Sequence, residues 1–273
     1  MKGYWAIRKW EAGPCGETIK FWVPGRKPGR LTRQAKSDIR KAAQNAASGI
    51  KQLARILNAN FREGDGLLTL TYSDQSLERL KAPLAAEDEE ELRLMLWDAA
   101  RKNLQNAIRR ARRKAQQMGI ELKYVAITAD LDEHKGELRD ARVHHHLIAD
   151  EQSAELILKA WKDGSANLKK LSSQPDYTPI AAYLMRQVRH VEDAKKFCCS
   201  KNLTRPQPED RIAKTGGQIR PPKGAVLLEQ GACRPGEPQY IRYILPKEAE
   251  SGEKIEDKGL IKILSCNAHR RLT

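Results

Sequence analysis

Val143-His144-His145-His146-Leu147-Ile148-Ala149 places three of the protein's six histidines in one apolar run. Read as a strand, the run alternates its side chains between two faces, so His144 and His146 project together and His145 points the other way. Two imidazoles at i and i+2 on one face suit a divalent metal, whereas three adjacent histidines are a poor filling for a core. The plainer reading is a partly exposed strand with incidental histidines.

Outward from this strand, Tyr124-Val125-Ala126-Ile127-Thr128-Ala129-Asp130 reads as its partner in a hairpin, joined by a charged loop from Asp130 to Asp140. An acid from that neighbour can complete the site. Asp130, which ends the paired strand, is the first choice, with Asp132 and Glu133 as alternatives. A mixed nitrogen and oxygen set with open positions suits Mn²⁺ or Mg²⁺ and leaves room for phosphate oxygens, with Zn²⁺ as runner-up.

Downstream, Tyr183-Leu184-Met185-Arg186-Gln187-Val188-Arg189 follows a helical pattern. Tyrosine can attack phosphorus once a metal polarises the phosphate, which makes Tyr183 a candidate nucleophile. Arg186, at i+3 on the same helix face, is placed to steady that phosphate. An ordinary amphipathic-helix tyrosine is the alternative. Tyr177, just before Thr178-Pro179, is the competing nucleophile.

A formal charge of +15 over 273 residues points to a polyanionic partner, because each phosphate neutralised by Lys or Arg releases counterions. Arg189, Lys195, Lys196, Lys201 and Arg205 follow the tyrosine helix closely and are the candidates for DNA backbone contact. The run Arg109 to Lys114 carries five charges in six residues and reads either as a solvated helix end or as a second basic face. No apolar run approaches the roughly 18–20 residues a membrane span requires. The start MKGYWAIRKWEAG lacks an apolar signal core, so the expectation is a cytoplasmic protein without a membrane partner. The five cysteines form no CxxC pair, which argues for free thiols rather than a zinc ribbon.

Coarse periodicity divides the chain into an N-terminal β-hairpin extension (1–33), a domain of mixed helices and strands that holds the candidate site (34–209) and a β-rich C-terminal segment (210–273). Helices are expected over 34–58, with Ser37 or Asp38 as cap, over 87–118, 155–162 and 179–191. Strands are expected over 67–72, 122–128 and 142–148. Helices interleaved with antiparallel strands imply an α+β sheet with helices on one face. Residues 246–258 read as a solvated loop.

Together, Leu68-Thr69-Leu70-Thr71-Tyr72, the histidine strand, and Asp176-Tyr177-Thr178-Pro179-Ile180-Ala181-Ala182-Tyr183 through Arg189 resemble the HUH rolling-circle replication initiators. Asn58-Ala59-Asn60-Phe61 and Ser200-Lys201-Asn202-Leu203-Thr204-Arg205-Pro206 add to the likeness, which spans residues 35–210 in order. The nearest branch is the replication-associated proteins of small phages, plasmids and integrated elements of Gram-positive bacteria. The resemblance implies a ferredoxin-like sheet, a metal on His144 and His146, and Tyr183 as the residue that cuts one DNA strand. That cut leaves a 5′-phosphotyrosine bond and a free 3′-hydroxyl for a polymerase. Single-stranded or hairpin origin DNA and a host helicase and polymerase are the implied partners. This chain departs from the family in carrying Arg186 where lysine is common and His145 where the middle residue is usually hydrophobic. Its two tyrosines are also six apart rather than four. A non-catalytic DNA-binding protein, or a degenerate initiator, is the alternative from another class.

Overall fold

The computed structural model describes residues 3–25, 39–134, 137–188, 195–213, 217–231 and 238–246. The first elements are a hairpin, β1 (Tyr4–Ala12) and β2 (Cys15–Val23), turning at Gly13, whose φ of 56° is one that side-chain-bearing residues rarely adopt. Helix α1 (Ile39–Asn60) follows, then β3 (Gly66–Thr71), α2 (Asp74–Lys81) and α3 (Glu89–Gln117). Next come β4 (Tyr124–His134), β5 (Glu137–Ala149), α4 (Glu151–Ala160), β6 (Ala166–Lys170) and α5 (Thr178–Arg186). The short strands β7 (Cys198–Cys199), β8 (Glu209–Ile212), β9 (Val226–Gln230) and β10 (Gln239–Ile244) are the last of the described elements.

Among the described residues ten strands form two five-stranded antiparallel sheets, so the α+β class holds. In the central sheet the order is β6-β3-β5-β4-β7. Its first four strands, with α3 and α4 as crossovers, make the β-α-β-β-α-β arrangement of a ferredoxin-like sheet. The crossover helices lie on one face, as expected: Ala100, Leu104, Ala107, Ile108 and Ala111 of α3 pack with Leu68, Leu70, Ala126 and Leu147. Alanines along this stripe let the helix approach the strands closely, and each fully buried leucine contributes about 1.5–3 kcal/mol. The other face is not open. Leu53 and Leu57 of α1 and Ala181 and Leu184 of α5 cover it, packing on Val125, Ile127 and Ile148. Helices therefore lie on both faces, because Leu67, Val125, Ile127 and Ile148 make part of the second face apolar too, and that part needs its own cover.

Local chemistry sets the boundaries. Asp88 caps α3 by accepting from Glu91 N at 2.7 Å, and Glu89 to Glu91 sit at the positive end of its dipole. Helix α4 begins at Glu151 rather than 155, because Asp150 accepts from Ser153 N at 2.8 Å. Within the expected loop 130–140, residues 130–134 and 137–140 are instead strand. Beyond an irregularity between Ala129 and Leu131, β4 and β5 continue as a two-stranded ribbon with Asp132 opposite Arg139. Exposed residues from Glu137 to Asp140 leave this ribbon without the alternating pattern that marks a half-buried strand. The Ser37 and Asp38 caps and the loop at 247–258 lie outside the described residues.

The second sheet has the order β8-β1-β2-β10-β9. Its N-terminal hairpin and C-terminal strands, which sequence reading separates, pair directly: Tyr240 lies opposite Ile19 and Arg242 opposite Glu17. One face rests on α1, where Arg55 donates to Glu17 at 2.6 Å and its guanidinium lies 3.8 Å from the Trp10 ring centre. Cys15, Cys198 and Cys199 are free thiols. No helix among the described residues is long and apolar enough to cross a membrane.

Candidate active site on the histidine strand

Strand β5 is central, with β3 on one side and β4 on the other. Its even positions face α1 and α5 and its odd positions face α3, which sorts the three histidines. His145 is fully buried on the α3 side. Its Nε2 lies 2.8 Å from the Tyr72 hydroxyl and its Nδ1 3.1 Å from Thr128 Oγ1, and it meets Trp161 edge-on. Burial pushes its pKa down to about 3, so it is a neutral, hydrogen-bonded core residue.

On the other face, the Nε2 atoms of His144 and His146 converge to 3.1 Å. The opposite ring nitrogens are occupied. His144 Nδ1 donates to the Arg142 carbonyl at 2.9 Å, which leaves its Nε2 as the lone pair. His146 Nδ1 lies 3.2 Å from Thr69 Oγ1. A second partner on the remote nitrogen is how proteins orient a metal-binding imidazole. Two nitrogens each about 2.1 Å from one ion, at a right angle, lie roughly 3 Å apart, so this spacing fits adjacent ligands on one metal. Burial first, then the neighbouring His144, lowers His146 to about 4, which keeps it neutral near pH 7.

Helix α5 brings Tyr183 to this pair. Its ring centre is 6.1 Å from that of His146, and the side chain is 38% exposed. Tyr177 is placed differently. It ends the loop before α5, where its backbone N–H donates to Asn58 Oδ1 at 2.7 Å, and its side chain is buried among the residues packed on α1. Burial also raises its pKa, which disfavours the phenolate. The structure thus brings Tyr183 to the histidine pair and packs Tyr177 into the core. Arg186 is exposed in the last turn of α5.

Among the described residues, no third His, Cys, Asp or Glu joins the pair in a metal-binding cluster. Asp130 directs its backbone N–H to the Gln187 carbonyl at 3.4 Å, and Leu131 does the same at 3.2 Å. The carboxylate whose charge acts on His146 is that of Asp132. Glu133 has no described side chain. The group that sequence reasoning missed is Gln187. The residue is 1% exposed and its side chain faces His146, on which it acts in the direction of raising the pKa, yet neither Oε1 nor Nε2 makes a hydrogen bond of good geometry. A buried amide left unpaired costs about 1–3 kcal/mol, so an orphan beside two converging imidazoles fits a metal ligand through Oε1. The only available signal was its i+4 spacing from Tyr183, which puts both on one helix face.

The proposed DNA contacts scatter. Lys201 and Arg205 are exposed, with Arg205 Nη2 3.4 Å from Cys199 Sγ. Lys195 and Lys196 line a crevice with Arg101, Leu104 and Thr128, on the α3 side of the sheet and away from the histidine pair. Arg189 lies outside the described residues. Comparison with protein-family models, curated proteins and solved structures returns no match.

Proposed function

We propose that the chain is a metal-dependent, sequence-specific single-strand DNA endonuclease and strand transferase that starts rolling-circle replication through a 5′-phosphotyrosine intermediate. The observation that carries this reading is the convergence of His144 and His146 beside the exposed ring of Tyr183. His144, His146 and Gln187 Oε1 would hold Mn²⁺ or Mg²⁺, which supplies charge to polarise the scissile phosphate. The Tyr183 hydroxyl loses its proton as its oxygen attacks phosphorus. The phosphorus–oxygen bond to the 3′ side breaks, and the departing oxygen takes up a proton as a free 3′-hydroxyl. Arg186 sits one turn along the same helix and offers a bidentate partner for phosphate oxygens. Reversal of the step by another 3′-hydroxyl joins strands and frees the tyrosine.

Single-stranded or hairpin origin DNA is the substrate in this reading, and a host helicase and polymerase extend the released end in the cytoplasm. Incubating the protein with single-stranded origin DNA and Mn²⁺, followed by mass spectrometry of the peptides, tests it. The expected result is a nucleotide adduct on the peptide holding Tyr183. Cleavage without an adduct would instead make the protein a phosphoesterase using activated water, and binding without cleavage a DNA-binding protein that has lost its chemistry.

A further inference from the structure

The second sheet plays no part in the chemistry above, yet its hairpin carries a concentration of aromatic residues. Trp5 and Trp22 face each other across β1 and β2, edge to face with ring centres 5.5 Å apart. The Lys20 ammonium lies 5.6 Å from the Trp5 ring centre. Trp22 remains 48% exposed, on the face of the hairpin that also carries Trp5 and Lys20. The Trp22 indole is nevertheless held in place. It lies against the backbone of Gly3 so closely that a Cβ at position 3 would overlap the ring. A half-exposed indole fixed by an edge contact and a glycine is pre-positioned for stacking, and its immobilisation costs little on binding.

The placement of this end relative to Tyr183 follows from a series of contacts. The hairpin turn at Gly13 abuts Asn58. Further from the turn, Glu17 and Trp10 meet Arg55, and Tyr240, opposite Ile19, meets Lys51. The hairpin therefore runs along α1 from its C-terminal end toward its N-terminal half. Helix α5 runs the same way, from Tyr177 on Asn58 to Met185 beside Gly49. Tyr183 and the open end of the hairpin thus both lie toward the N-terminal half of α1, with Trp5 and Trp22 on the hairpin face opposite the one that meets α1.

We infer that the Trp22 face at the open end of the β1–β2 hairpin, with Trp5 and Lys20 beside it, is a stacking platform for unpaired bases of the single-stranded DNA that the protein binds. The inference rests on the single-strand reading of the site. The protein's charge of +15 draws the phosphate backbone, and aromatic faces hold bases without regard to sequence.

The test is fluorescence anisotropy of the full chain with a labelled oligothymidylate and with a short duplex, run beside the adduct assay. Trp22→Ala should weaken oligothymidylate binding roughly tenfold, with duplex binding unchanged. Trp22→Phe should keep most of the affinity, and Gly3→Ala, which displaces the ring, should behave like Trp22→Ala. Unchanged oligothymidylate affinity in Trp22→Ala overturns the platform, as does an equal loss on both DNAs. The two readings separate cleanly. Adduct formation by the wild type with no effect of Trp22→Ala removes the platform alone. A selective loss in Trp22→Ala, with no adduct on the wild type, removes the endonuclease and leaves the platform standing.

Discussion

The Asp176 carboxylate, two residues before α5, is ion-paired with Arg242 of β10, and both side chains are buried. The same carboxylate accepts from Asn58 Nδ2 at 3.1 Å and from Thr178 N at 2.9 Å. One acid therefore joins the last strand of the second sheet, the end of α1 and the start of the helix that bears Tyr183. The terminal sheet is structurally part of the platform that holds that helix.

Removing one partner of this pair leaves an uncompensated buried charge. Arg242→Ala should lower stability by about 3–5 kcal/mol, read from the midpoint of urea unfolding. Arg8→Ala, which breaks an exposed pair with Asp210, should cost far less, because solvent screens that pair. Similar losses in the two variants would show that the buried pair does not anchor α5.

His145 and His146 make stability depend on pH. Both have pKa values below the ordinary histidine value of 6.5, at about 3 and about 4, because burial penalises the charged ring. The unfolded chain therefore takes up protons that the folded protein refuses, so stability falls as pH drops from about 6.5 toward 4. His145→Leu removes one of these groups and should flatten that slope in urea titrations of the metal-free protein. It should also lower stability near pH 7 by about 1–3 kcal/mol, since the Thr128 hydroxyl loses its partner on the ring. Nicking should persist, because the ring faces α3. A slope unchanged by the substitution would mean that His145 is not titrating as a buried base.

Metal affinity distinguishes the third ligand. Gln187→Ala should weaken Mn²⁺ binding, measured by calorimetry, more than Asp132→Ala, and Asp130→Ala least. Gln187→Leu should lose metal equally yet raise the stability of the metal-free protein, because it removes a buried amide with no partner. Full affinity in Gln187→Ala with loss in Asp130→Ala would return the ligand to the ribbon.

The strand alternation that sorts the histidines was legible because β5 is central and every residue from Val143 to Ala149 obeys a period of two. The places of β3, β4 and β5 along the chain followed from the same apolar runs. What escaped were features set by tertiary contact. The ribbon from Leu131 to Asp140 carries charge as a loop does, and only cross-strand pairing identifies it as strand. The union of the two chain ends depends on Arg242 meeting Glu17 and Asp176, more than sixty residues from either. Gln187 is polar, follows the last turn of α5 and matches no ligand pattern. Its significance comes from the docking of its carbonyl on Asp130 and Leu131, which turns its side chain inward.

The nucleophile bears the enzymatic reading, and the two tyrosines now differ in environment as well as position. Tyr183→Phe removes only the hydroxyl of a partly exposed ring near His146 and should leave folding, Mn²⁺ affinity and DNA affinity near those of the wild type, while abolishing the adduct. Tyr177→Phe removes a hydroxyl from a side chain 4% exposed, so it should keep adduct formation. The mass spectrum of each variant with origin DNA decides the matter. An adduct that survives in Tyr183→Phe and disappears in Tyr177→Phe would require the start of α5 to open, exposing a ring now packed against α1 and breaking the Asn58 contact. Cleavage without an adduct in both variants would leave the histidine pair as the reactive centre, with water as the attacking group.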